Sequence, residues 1–237
     1  MNLLLLTPDH FINDNEIQLD ERQCDHVLRI IKPDVGSYLT VGKLGEKMGR
    51  ARVSYLGKND VKLDNIELLE NTPPQLPLTL ILAMPRPQQL KRILQTVATL
   101  GVRKVCFIQT QRAEKSFWQS PSATDSAIRD QLILGLEQGK ATHLPIIEKH
   151  VRFKPFVEDI LPSLAIDTLK WVAHPGAYPF VNHVGEQQAA TLAIGPEGGF
   201  IANEIALLEE QGFEARQLGS RILKVETAVT ALIAKMY

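Results

Sequence analysis

The chain has 237 residues, 44% of them hydrophobic and 22% charged. That is globular composition, enough for one or two domains, and it excludes a disordered or fibrous chain. The net charge of -1 argues against a protein that coats nucleic acid nonspecifically, and the longest apolar runs fall short of the ~18–20 residues of a membrane helix.

The first residues, Met1-Asn2-Leu3-Leu4-Leu5-Leu6, have no basic flank and meet Pro8 and Asp9 at once. They read as a first strand rather than a signal peptide, so a cytoplasmic protein without membrane contact is expected. A helix is predicted from about Asp20 to Ile30. Val35–Val41, Ala51–Tyr55 and Val61–Ile66 read as short strands, separated by Gly36, Gly42, Gly45, Gly49 and Gly57. Residues 1–71 therefore predict a small β-barrel. Pro73, Pro74 and Pro77 then mark a linker, Asn71 to Pro77, that excludes helix and central strand.

From residue 76 to 237 the rhythm changes. Leu78–Met84, Val105–Gln109, Ile146–Ile147, Leu169–Ala173, Leu192–Ile194 and Phe213–Gln217 read as strands. Gln88–Leu100, stopped by Gly101, reads as a helix, as do Ser126–Leu136, Ile201–Gln211 and Val225–Lys235. Strands alternating with helices predict an α/β domain with a mostly parallel sheet. Cys24 and Cys106 each stand alone, with no CxxC and no metal-type spacing. They read as free buried thiols in a reducing compartment, and no metal is expected.

The charge is unevenly placed. Residues 1–75 carry a net -3, residues 121–237 a net -4, and residues 76–120 a net +6. That middle segment holds Arg86, Lys91, Arg92, Arg103, Lys104, Arg112 and Lys115, followed by Phe117 and Trp118. Cations beside exposed aromatics suit single-stranded RNA, because phosphates want cations and unstacked bases want a flat partner. A solvated helix face beside two core aromatics is the competing reading.

Two loops carry the chemical argument. Ala193-Ile194-Gly195-Pro196-Glu197-Gly198-Gly199-Phe200 follows a strand and precedes a helix, and its glycines allow backbone to approach a ligand. It is neither a P-loop nor GxGxxG. Leu218-Gly219-Ser220-Arg221-Ile222-Leu223-Lys224-Val225-Glu226-Thr227-Ala228 is a strand end, a glycine turn and a helix start. Loops after parallel strands are where small ligands bind.

Together, GPEGGF and LGSRILKVETA resemble the signature of the RsmE-type ribosomal RNA methyltransferases of the SPOUT superfamily. His26-Val27-Leu28-Arg29 with Val35-Gly36 is similar to a segment of that family's PUA-like N-terminal domain. Leu100-Gly101-Val102, Gln111-Arg112 and Glu137-Gln138 match landmarks between. The resemblance implies a trefoil-knotted, SPOUT-type parallel sheet behind a PUA-like β-barrel, acting as a homodimer. It implies S-adenosylmethionine as cofactor and N3 of a uridine in small-subunit (16S) ribosomal RNA as target.

By position, the cofactor site would comprise Ala173, His174, Gly195, Pro196, Glu197, Gly198, Gly199, Leu218, Gly219, Arg221, Ile222, Leu223, Thr227 and Ala228, with Pro175 in the first loop. Arg112, Arg221 and Glu197 are the catalytic candidates. Glu197 could act by charge on a sulfonium or anchor the turn. Arg221 could brace the loop, meet RNA or pair with Glu226. RNA contacts are expected at Arg29, Arg86, Lys91, Arg92, Arg112 and Lys115, with Arg50 and Arg52 as further local contacts. The last helix, with Val229, Ala231, Leu232, Ile233 and Ala234, is wider in apolar surface than one stripe needs, which points to the dimer contact.

The chain departs from the family pattern in places. Thr96 and Thr99 stand where the family carries Lys and Glu. Gly139, Lys140 and Ala141 replace a segment that normally holds an arginine, and Asn2-Leu3-Leu4-Leu5 replaces an Arg-x-Phe start. Ile201 stands at the usual helix-capping serine, so Asn203 is expected to cap a later start. These changes lie mostly outside the cofactor motifs. They leave open a non-catalytic RNA- or ribosome-binding relative, or a methyltransferase for another nucleotide.

Overall fold

The computed structural model describes residues 2–237, which form two compact units. One is the chain up to Pro74 together with Ile133–Leu144, and the other is Gln75–Leu132 with Pro145–Tyr237.

The first unit is a six-stranded sheet ordered β1-β4-β5-β6-β3-β2. Its strands are β1 (Leu4–Leu6), β2 (Phe11–Asn13), β3 (Glu16–Gln18), β4 (Tyr38–Lys43), β5 (Met48–Leu56) and β6 (Val61–Glu70). Its two end strands, β1 and β2, are joined by a single turn, Pro8–His10, so the sheet curls on itself. Leu4, Leu6, Ile17, Val41, Val53, Val61 and Leu63 fill the concave side. Helix α1 (Glu21–His26) starts where the Asp20 carboxylate accepts the Gln23 amide at 2.7 Å. The helix predicted through Ile30 changes pitch after His26. Val27–Ile31 is a π-turn, closed by Lys32 in the left-handed region at φ 52°. β4 begins at Tyr38 rather than Val35 because Gly36, at φ 94°, turns the chain first.

Residues 133–144 pack with this unit for a specific reason. Glu137, 1% exposed, accepts Arg22 Nη1 and Nη2 at 2.7 and 2.9 Å, and Gln23 Nε2 at 3.3 Å. A buried carboxylate needs such a cation. The Gly45 amide donates to the Thr142 carbonyl at 2.8 Å.

The second unit is a parallel six-stranded sheet ordered β12-β10-β11-β7-β8-β9. Its elements in chain order are β7 (Leu76–Ala83), α2 (Pro87–Thr99), β8 (Val102–Ile108), α3 (Asp125–Gly139) and β9 (Ile146–His150). The short helices α4 (Phe153–Pro155) and α5 (Leu161–Leu164) follow, joined by a π-turn at Phe156–Ile160. Then come β10 (Leu169–Ala173), β11 (Ala190–Ile194), α6 (Ala202–Glu210), β12 (Glu214–Arg216) and α7 (Val225–Met236). This is the expected mostly parallel sheet flanked by helices. The chain runs from the edge strand β12 back to α7, which packs on α2.

Pro77 corrects the linker reading. It lies inside β7, a central strand, although a proline lacks the donor a central strand uses. β7 tolerates it because pairing with β11 starts only at Leu78, and the register with β8 is irregular between Leu76 and Thr79. In α2 the buried residues Leu90, Ile93, Leu94, Val97 and Ala98 recur at helical spacing, and Gly101, at φ 77°, ends the turn. A second correction concerns α7. Val225, Val229, Leu232, Ile233 and Met236 are buried within the protomer, while Thr227, Thr230, Ala234 and Lys235 are exposed. The apolar width read as a dimer face is consumed by the chain's own core.

Candidate functional site

Three parallel strands end side by side. Ala173 of β10 is in register with Ile194 of β11 and Arg216 of β12. The loops that follow, Ala173 to Pro175, Gly195 to Gly199 and Gln217 to Leu223, surround one cleft. Val225, Ala228 and Leu232 of α7 form its apolar wall. Parallel α/β sheets place ligands at the carboxyl ends of their strands because the loops there diverge.

Of the expected cofactor residues, Ala173, His174, Gly195, Pro196, Glu197, Gly199, Leu218, Gly219, Arg221, Ile222, Leu223 and Ala228 line this cleft. Gly198 and Thr227 do not. Gly198 lies under Arg112, whose Cδ would stand 3.1 Å from an added Cβ. Thr227 sits on the exposed side of α7. The sequence reading missed Ile194, Arg216, Gln217, Val225 and Leu232, which also line the cleft.

The glycines act differently from the expectation. At Gly195 an added Cβ would meet the Phe200 amide nitrogen at 3.0 Å, so the loop's own backbone demands glycine. At Gly219, with φ 152°, nothing lies within 4 Å. There the backbone conformation and the open space beside it favour glycine.

Glu204 organises the loops. One carboxylate oxygen accepts the Ile201 amide at 3.0 Å and the other the Gln111 amide at 2.7 Å. Helix α6 therefore begins at Ala202 after Ile201, capped from inside by Glu204 rather than by Asn203. The same carboxylate ties the loop after β8 to the glycine loop. A glutamate three residues past a helix start is a readable capping signal, but its second partner, 93 residues away, is not.

Charge gathers on the rim. Arg112 Nη1 donates to the Gly198 carbonyl at 2.5 Å, and Arg86 Nε lies 3.7 Å from Glu197 Oε1. The RNA candidates Arg86 and Arg112 and the catalytic candidates Arg112 and Glu197 thus meet on the glycine loop. Arg221 is exposed at the cleft and makes no ion pair with Glu226 among the described residues. Lys91, Arg92 and Lys115 are exposed and lack an acidic partner among the described residues. Arg29 belongs to the first unit and pairs with Asp25 at 2.6 Å. Phe117 and Trp118, expected to be exposed, are half-buried, and Trp118 Nε1 donates to Gln109 Oε1 at 2.6 Å.

Two polar atoms of cleft-lining residues are buried without a partner among the described residues, His174 Nδ1 and Arg216 Nε. The Arg216 guanidinium lies over the Trp171 ring at 5.1 Å. Burial, then the nearby Arg112 charge, pushes the His174 imidazole below its ordinary pKa. Thr96 and Thr99 face a shallow hollow with Arg92, Gln95, Leu100 and Thr230. Lys140 ends α3 in the left-handed region at φ 51°.

A parallel α/β sheet with a loop-walled cleft at three strand ends is the architecture of a small-cofactor-binding enzyme domain. A family model for an RNA methyltransferase domain matches residues 72–237. A ribosomal RNA small subunit methyltransferase E from Treponema pallidum is 30% identical, over 99% of this chain and 90% of its own. One from Borreliella burgdorferi is 28% identical, over 98% of this chain and 95% of its own. The chain belongs to the ribosomal RNA small subunit methyltransferase E family of RNA methyltransferases. The fold agrees with a Neisseria gonorrhoeae methyltransferase E solved with S-adenosyl methionine. Its TM-score is 0.75 at 21% identity, over 99% of this chain and 95% of that one. A putative methyltransferase from Legionella pneumophila, solved with the same cofactor, gives 0.74 at 23% identity, over 98% and 95%.

Proposed function

We propose that the chain binds S-adenosylmethionine in the cleft at the ends of β10, β11 and β12 and methylates N3 of a uridine in small-subunit (16S) ribosomal RNA. The carrying observation is the convergence of the three loops on one cleft. Its walls offer backbone donors and acceptors for an adenine edge and aliphatic surface for the ring faces. The partnerless His174 Nδ1 and Arg216 Nε are polar atoms a bound ligand could satisfy.

When bound, the cofactor supplies an activated methyl group. The Gly195 to Gly199 and Gln217 to Leu223 loops hold it, and Glu197 offers an anionic rim. Transfer to N3 would break the sulfonium's sulfur–methyl bond, leaving a neutral thioether, and the N3–H proton would leave to solvent. Arg112 and Arg221, cations at the rim, favour the uracil anion that this requires. Arg86, Lys91, Arg92, Arg112 and Lys115 hold RNA phosphates, with Arg29 as a contact from the first unit. Apolar side chains at Ile222 (75% exposed) and Phe180 (54%) fit a homodimer through the loops beside α7. Such a dimer would be seen by light scattering at micromolar concentration. No helix of the described residues is long and apolar enough to cross a membrane; the cytoplasmic site of action is proposed from the ribosomal RNA target alone.

Gly219→Val tests the site. The branched side chain is strained there by about 1–3 kcal/mol and projects into open space. Calorimetry on the folded variant should show S-adenosylmethionine affinity reduced by roughly 100-fold. Nucleoside analysis of ribosomal RNA from cells lacking the gene should show a missing 3-methyluridine, restored by wild type and not by Gly219→Val. Wild-type affinity in the folded variant refutes the site. An unchanged methyluridine content with intact cofactor binding refutes the target.

A further inference from the structure

Away from the cleft, three side chains of different chemistry converge on the sheet's β8–β9 edge. Cys106 and Glu148 are direct partners across the parallel β8–β9 pair, and His150 stands opposite Ile108, two residues on. Alternation puts all three on the same face. Cys106 Sγ lies 3.6 Å from Glu148 Oε2, and His150 Nε2 lies 3.3 Å from that same oxygen. All three atoms fall within 4.8 Å of one another.

These separations are those of a coordination sphere. Zinc bonds of about 2.3 Å to sulfur and about 2.0–2.1 Å to nitrogen and oxygen give tetrahedral ligand-to-ligand edges of about 3.3–3.6 Å. Two of the three edges are already in that range. The ligands are also held from outside. Lys104 Nζ takes the other Glu148 oxygen at 2.8 Å, which leaves Oε2 turned to the cysteine and the histidine. The His150 ring rests on Phe156 at 4.6 Å between centroids. Contacts of this kind fix ligand direction in metal sites. Cys106 is fully buried, whereas the Glu148 and His150 side chains are 33% and 18% exposed. The set is closed toward the core and open toward solvent, where a water would complete four ligands around a bound ion.

We propose that Cys106, Glu148 and His150 form a zinc site. Thiolate, carboxylate and imidazole together suit a borderline-soft divalent ion rather than magnesium or calcium. On binding, the Cys106 proton leaves to solvent and a sulfur–zinc bond forms, with no redox change. None of the three residues lines the cleft, so the site serves structure. It clamps the edge strand β9 to β8 and, through Phe156, steadies the turn between α4 and α5. It stands independently of the methyl-transfer reading.

The test uses the untagged full chain, stripped of metal and kept reduced, titrated with Co²⁺ and then Zn²⁺. Wild type should take up one equivalent of cobalt with a thiolate-to-cobalt charge-transfer band, which zinc abolishes. Saturating zinc should raise its melting temperature by roughly 5 °C. Cys24→Ser should keep the band, and Cys106→Ser should lose it. His150→Gln and Glu148→Gln should each weaken cobalt binding by at least roughly tenfold. Absence of the band in wild type overturns the proposal, as does its loss in Cys24→Ser alone. Should Cys106→Ser fail to fold, unchanged cobalt affinity in His150→Gln overturns it equally.

Discussion

The arginines of the first unit and three exposed cations of the basic segment lead different lives, although Arg86 and Lys104 of that segment are paired with Glu197 and Glu148. In the first unit Arg22, Arg29, Arg50 and Arg52 are each engaged by an acid: Glu137, Asp25, Glu67 and Asp64. In the segment from 76 to 120, Lys91, Arg92 and Lys115 face solvent without an acidic partner among the described residues, and Arg112 turns to a backbone carbonyl. Net charge by segment hints at this contrast, but only the pairing shows which cations are available. A paired arginine must give up its acid before it can serve a phosphate, so availability matters more than number.

The largest effect expected from this contrast is on stability. Arg22→Ala leaves Glu137 buried and without its guanidinium, at a cost of about 3 kcal/mol. Denaturant unfolding should register that loss, whereas Arg50→Ala, at an exposed pair, should change stability by less than about 1 kcal/mol. Equal losses would mean that burial does not separate the two classes.

RNA affinity against salt comes next. Lys91→Ala with Lys115→Ala should weaken binding roughly tenfold and lower the salt slope by about 2, because two fewer phosphates are neutralised. Arg50→Ala with Arg52→Ala should lower it by less than about 1, since those guanidiniums are already neutralised. Arg86 and Arg112 make poorer probes, because both brace the glycine loop and their loss would also disturb cofactor affinity. Equal slopes for the two double variants would erase the contrast.

The smallest effect concerns His174. Its folded pKa lies below the ordinary value, so between those two values the unfolded chain holds more protons. Stability therefore rises with pH through that window and falls as pH drops through it. On the proposed function, a protonated His174 would also add positive charge to the cleft that the sulfonium enters. S-adenosylmethionine affinity should fall as pH drops through the lowered His174 pKa, and more steeply than that of the demethylated product, whose sulfur is uncharged. His174→Gln should flatten both profiles in calorimetry and thermal melts.

Much of the cleft was legible because loops announce themselves locally. Gly195, Gly199 and Gly219 stand at strand ends, and their neighbours follow by position. Ile194, Val225 and Leu232 were missed because an apolar strand end or helix residue reads as core, and here they are both core and wall. Arg216 was missed because a charged residue on a short edge strand looks like a solvated side chain. Pro77 misled because a register irregularity, invisible in sequence, absorbs it. The turn of helices from Phe153 to Leu164 was overlooked because Pro155, Pro162 and a π-turn break the 3.6-residue rhythm. The pairing of Glu137 with Arg22, 115 residues apart, has no local trace.

That last pairing sets a timetable for synthesis. The first unit is discontinuous, and its closing piece is residues 133–144. A nascent chain cannot complete this unit when residue 74 emerges. Arg22 then has no Glu137, and the Gly45 amide has no Thr142 carbonyl. Completion waits until β7, α2 and β8 have left the ribosome. The amino-terminal unit is thus begun first and finished second, so the usual order of one domain after another does not hold for this chain. Translation arrested before residue 137 should yield a protease-sensitive first unit, and translation arrested well past residue 144 a resistant one.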